Sequence, residues 1–134
     1  MNGVFSQGHA LLIGVGADLP NTVDDAVGLT DILRDPERCA YPQAQVRQLT
    51  AASATRQHIL DGLDRLAQVS TDATVIIYFS GHGYEFRSTF GKAYFLMPFG
   101  YDVNRLAETA VSAQELTAKL QAIPAQKLLL LLDC

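Results

Sequence analysis

Two uninterrupted apolar runs constrain this chain more than anything else in it. Thr74-Val-Ile-Ile-Tyr-Phe79 and Lys127-Leu-Leu-Leu-Leu-Leu132 lack the in-out alternation of a half-exposed strand. Runs of that kind belong to parallel strands covered on both faces. In parallel α/β sheets, chemistry gathers outside the carboxyl ends of the strands. Ser80-Gly81-His82-Gly83 follows the first run and Asp133-Cys134 follows the second. A glycine-flanked histidine and a cysteine beside an aspartate are therefore both delivered to the place where an active site would lie.

The remaining segments fit the same sheet. Residues 1–8 read as a lead-in, and His9-Ala-Leu-Leu-Ile-Gly-Val15 reads as a first buried strand. The turn-rich stretch from Gly16 to Asn21 follows. A helix capped by Thr22 or Asp24 then runs to about Arg34, with Ala26, Val27, Leu29, Ile32 and Leu33 at helical spacing. Asp35-Pro36 ends it, because the residue before proline is pushed out of the helical region. Val46 to Leu49 is a short strand. Ser53 or Thr55 opens a second helix with the apolar stripe Ile59, Leu60, Leu63, Leu66 and Ala67. Tyr84–Phe90 and Lys92–Met97 form a hairpin with Gly91 at its turn, and Pro98 to Arg105 is a loop. Ser112-Ala-Gln-Glu115 is a capping box for a last helix that buries Leu116, Leu120 and Ile123 before Pro124 stops it. Strands alternating with helices predict a three-layer α/β fold in one domain, residues 1–134.

Composition narrows the function. The chain has 134 residues, 49% of them apolar, enough for a sizeable core. Ten basic against fourteen acidic side chains give a net charge of −4. With no basic patch or basic helix in view, nucleic acid and anionic membrane are not expected as partners. No apolar run approaches the roughly 20 residues of a membrane span. The two cysteines, Cys39 and Cys134, are not a disulfide framework, so a reducing, cytoplasmic setting is the expectation. The histidines and cysteines lack metal-ligand spacing, which predicts no metal site. Gly14-Val-Gly16 hints at a dinucleotide loop, but Leu19 stands where the third glycine belongs.

His82 and Cys134 carry the chemistry that remains. Glycines on both sides of His82 let the backbone turn tightly and approach a ligand. A histidine can serve as general base and then as general acid. A thiolate is the strongest side-chain nucleophile near neutral pH, and a neighbouring histidine activates it. The bland readings are a solvated histidine and a small buried cysteine. Asp133 makes the second less comfortable, because a carboxylate at a strand end must be exposed or paired.

The order of these motifs resembles the caspase-like cysteine peptidases, and most closely the metacaspases and their bacterial relatives. The resemblance rests on the apolar run with Ser80-Gly81-His82-Gly83 and the apolar run with Asp133-Cys134. His9–Val15, Val23-Asp24-Asp25-Ala26 and Tyr94-Phe-Leu-Met-Pro98 support it. It spans residues 9–134 and corresponds to the large-subunit half of that family. What it implies is a caspase-like three-layer sandwich with a mainly parallel sheet, lacking its carboxy-terminal part. The remaining small-subunit segment of the same protein would then be a partner. It implies a cysteine endopeptidase with a His-Cys dyad, acting on protein or peptide substrates. It assigns Asp25 and Asp133 to a pocket that selects arginine or lysine, and the Gly83 backbone N–H to the oxyanion. It implies no cofactor, although calcium activates many metacaspases.

One departure leaves two registers. In this family the aspartate normally stands two residues before the nucleophile. On that spacing the nucleophile follows Cys134; on the other, Cys134 is itself the nucleophile. A caspase-like scaffold without activity, binding or regulating a partner, is the alternative from a different functional class.

Overall fold

The structure, a computed structural model, describes residues 3–134; the first two residues of the expected lead-in lie outside the described residues. Four strands form a parallel sheet: β1 (Gly8–Gly14), β2 (Val46–Thr50), β3 (Thr74–Ser80) and β7 (Lys127–Asp133). Their order across the sheet is β2-β1-β3-β7. Three further strands, β4 (His82–Ser88), β5 (Gly91–Met97) and β6 (Val111–Ser112), make a separate antiparallel sheet in the order β4-β5-β6. Four α-helices lie among the described residues: α1 (Asn21–Arg34), α2 (Arg56–Leu66), α3 (Leu106–Thr109) and α4 (Ala113–Gln121).

Two cores sit on the two faces of the parallel sheet, because successive side chains on a strand point to opposite sides. Val75, Ile77 and Phe79 join Ile59, Leu63 and Leu66 of α2, and Leu116 and Leu120 of α4 pack against them. Ala10 and Leu12 meet Ala26 and Leu33 of α1, with Ile76 and Tyr78 at the border of that core. The buried stripe of α1 is Thr22, Ala26, Thr30 and Leu33, and Ile32 is exposed rather than buried. Thr30 tolerates its burial because its hydroxyl donates to the Ala26 carbonyl at 2.8 Å.

Local signals set the helix ends only in part. Thr55 caps α2, its hydroxyl accepting from the His58 N–H at 3.3 Å. Ser112 caps α4 by accepting from the Glu115 N–H at 3.0 Å. The expected return bond from Glu115 is not made; its carboxylate takes Arg56 at 2.7 Å instead. Neither Thr22 nor Asp24 caps α1, which follows Pro20 with no side-chain cap. The Thr22 hydroxyl is committed to the preceding loop. The Pro98–Arg105 loop ends in a short 3₁₀ turn at Val103–Arg105, and α3 and β6 follow it.

The leucine run departs from the expectation of cover on both faces. Leu128 and Leu130 pack against the α2–α4 core, but Leu129, Leu131 and Leu132 are 51%, 39% and 48% exposed. The reason is position. β7 is an edge strand, and α1 packs over β1, β2 and β3.

The register fixes where chemistry gathers. Thr50, Gly14, Ser80 and Asp133 pair across the four strands in one row. That row is the carboxyl edge of the sheet, and His82 and Cys134 stand just past it.

Candidate active site

Backbone hydrogen bonds hold the carboxyl edge together. The Val15 N–H donates to the Ser80 carbonyl at 3.0 Å, and the Gly81 N–H donates to the Asp133 carbonyl at 3.2 Å. His82 then opens β4 instead of lying in a loop. The glycines beside it serve close approach. A Cβ on Gly81 would lie 2.8 Å from Val15 Cγ2, and one on Gly83 would lie 3.3 Å from Cys134 Sγ. A side chain at Gly81 would collide with Val15 and Phe79, and one at Gly83 would need Cys134 to give by a few tenths of an ångström.

A cleft of about 520 Å³ brings together Asp25, His82, Asp133 and Cys134, joined by Asp18 and Ser80. Asp133 lies with the hydroxyls of Tyr78 and Ser80, each 3.4 Å from its Oδ2. Burial pushes the Tyr78 phenol above its usual range. The nearby Asp133 and Asp25 carboxylates add to that, while a hydrogen bond with Ser80 pulls the other way. Asp25 projects from α1 and is exposed. Among the described residues neither Asp25 nor Asp133 makes an ion pair.

Cys134 also borders a second hollow, of about 410 Å³, with Gly83, Tyr84, Tyr94, Leu116 and Leu132. That one is walled by apolar and aromatic side chains. Tyr84 and Tyr94 line it and are 43% and 52% exposed. Phe86 is exposed and does not border this hollow. His58 is exposed on α2, with Nδ1 2.8 Å from the Ser53 carbonyl, and takes no part in the site. Among the described residues, no three His, Cys, Asp or Glu side chains gather so as to hold a metal ion. No described helix is long and apolar enough to cross a membrane.

Two contributors were not evident in the sequence. Tyr78 read only as part of a buried strand, although even positions of β3 face α1 and so meet Asp133. Asp18 lay inside a turn-rich loop with nothing to mark it; in the structure its carboxylate reaches His82 Nε2 at 2.9 Å.

A parallel sheet of this order, with helices on both faces and a histidine and a cysteine at its carboxyl edge, defines a caspase-like α/β domain. The caspase domain, as a sequence family, matches residues 7–134, and the chain belongs to that family. Protein GSU0716 from Geobacter sulfurreducens, known from a crystal structure, shares the fold, with a TM-score of 0.71 and 22% sequence identity. The match covers 94% of this chain and 48% of that protein, so this chain spans about half of its length. No curated protein matches the chain.

Proposed function

We propose that the protein is a cysteine endopeptidase of the caspase-like type that cuts after arginine or lysine. One observation carries the reading: three carboxylates, Asp18, Asp25 and Asp133, border one cleft with His82, and no lysine or arginine borders it. A cleft of that charge favours a cationic side chain and discriminates against an aspartate. Asp25 and Asp133 are the pair suited to the substrate's guanidinium or ammonium, since Asp18 is held by His82.

In the proposed mechanism a cysteine thiolate adds to the scissile carbonyl carbon. His82, having taken the thiol proton, gives it to the departing amine as the C–N bond breaks. His82 then takes a proton from water, which attacks the thioester and releases the new carboxylate and the free thiolate. The Gly83 N–H and the nucleophile's own N–H stabilise the oxyanion; losing one such donor costs roughly 10²–10³ in rate.

The register in which the nucleophile follows Cys134 rests on the family's usual spacing. Asp133 lies with Tyr78 and Ser80, and Cys134, with its Sγ against Gly83, borders both the acidic cleft and the apolar hollow. For the calcium that the family resemblance implies, no three His, Cys, Asp or Glu side chains gather among the described residues.

The test is cleavage of reporter peptides by the full-length protein. Arginine or lysine before the scissile bond should give rates far above aspartate, and His82→Ala should abolish turnover with the far-ultraviolet spectrum intact. Comparable cleavage after aspartate would remove Asp25 and Asp133 from the pocket. No cleavage of any peptide, with a folded protein, would favour a scaffold without activity. Cys134→Ala decides the register: retained turnover assigns the nucleophile to the next residue.

A further inference from the structure

We infer that Asp18 is a positioning residue for His82, making the catalytic unit an Asp-His-Cys arrangement; this rests on the peptidase reading above. The Asp18 carboxylate sits with Oδ2 at 2.9 Å and Oδ1 at 3.1 Å from His82 Nε2. A carboxylate only accepts, so Nε2 carries the proton and donates. Nδ1 is then the bare nitrogen of the neutral ring, ready to take a thiol proton. Once that proton arrives the ring is an imidazolium, and the adjacent carboxylate stabilises it.

The loop that presents Asp18 is built for the purpose. Gly16 and Ala17 both have positive φ, +72° and +56°. Alanine in the left-handed region is uncommon and costs about 1 kcal/mol or more. The surrounding bonds hold it there. The Leu19 N–H donates to the Gly16 carbonyl at 2.9 Å, closing a turn with Ala17 and Asp18 at its tip. The Thr22 hydroxyl, buried at 7% exposure, accepts from the Gly16 N–H at 2.8 Å and donates to the Leu19 carbonyl at 2.7 Å. The Val15 bond to Ser80 then locks this loop to the strand that carries His82. Strain, a buried hydroxyl clamp and a strand tie all converge on one exposed carboxylate whose partner is the histidine. The hydrogen bond from His82 holds the Asp18 carboxyl below its usual range, as that pairing requires.

Asp18→Ala, Asp18→Asn and Asp18→Glu in the full-length protein, beside His82→Ala, test this. Asp18→Ala and Asp18→Asn should lower kcat roughly 10–100-fold, by analogy with removing a partner that orients a metal-bound histidine. KM should hold, and Asp18→Glu should recover much of the loss. Nitrogen-15 NMR of the His82 ring gives a readout that needs no substrate. The Nε2–H form should dominate in the parent protein and give way to a mixture in Asp18→Ala. Unchanged kcat in both Asp18→Ala and Asp18→Asn overturns the inference, and so does an unchanged ring spectrum in Asp18→Ala. Activity persisting in His82→Ala instead removes His82 from the proposed dyad, and no cleavage by the parent protein overturns the peptidase reading, while the ring spectrum still reports on Asp18.

Discussion

Tyr78 shows how single side chains beside the cleft answer to one another. Its phenol faces the Asp133 carboxylate at 3.4 Å, and burial first, then Asp133 and Asp25, raise its pKa. Raising a phenol's pKa favours the neutral form in the folded state. The contribution to stability is full below the unfolded value of about 10 and is lost as pH rises through the folded value. Tyr78 should therefore titrate late in the near-ultraviolet difference spectrum. Asp133→Asn should bring that step part of the way down, and Tyr78→Phe should delete it. An unchanged late step in Asp133→Asn would mean that the Asp133 carboxylate does not act on the Tyr78 phenol. The same scale marks the limit of the sequence. His82 and Asp133 announced themselves through glycine neighbours and a strand end. Asp18 did not, because its value depends on a left-handed alanine and a partner 64 residues away. No local pattern encodes a contact of that range.

At the scale of elements, the long periodic segments were legible and the short ones were not. β1, β3, α2 and α4 declare themselves through apolar runs or a 3.6-residue stripe. β6, with two residues, and α3, with four, carry too few positions for any period. Yet β6 matters: the Val111 side chain is wholly buried, and Arg56 ties the segment to both helices. Arg56 Nε donates to the Ala110 carbonyl at 3.1 Å while its Nη2 reaches Glu115 at 2.7 Å. Both side chains of that pair are about 30% exposed, so water screens them only in part. Arg56→Ala removes a charged donor from two acceptors and should cost about 1–3 kcal/mol, read as a lower urea midpoint with an unchanged slope. Glu115→Gln should cost less, since the Ala110 bond survives. A cost for Arg56→Ala below about 0.5 kcal/mol would class the contact with ordinary surface pairs.

On the scale of the whole molecule, the parallel sheet is asymmetric, and the asymmetry has a consequence. β2 ends one side of the sheet and β7 the other. A bare strand edge is a template for pairing with another strand, and proteins usually blunt it with charge, proline or a cover. β7 has one charge within its leucine run's span, Lys127 at the start, and Asp133 at the end. Leu129, Leu131 and Leu132 between them are exposed. A 1–134 polypeptide should accordingly associate as its concentration rises, despite a net charge of −4. Light scattering or sedimentation would follow it. Replacing both Leu129 and Leu131 by lysine puts like charges along the exposed face and should suppress the association without touching Leu128 or Leu130, which anchor the strand to its core. A polypeptide that stays monomeric at high concentration would show that the β7 edge is already protected. Association undiminished in the double-lysine variant would move the contact to another surface, with the exposed aromatics of the β4–β5 hairpin next in line.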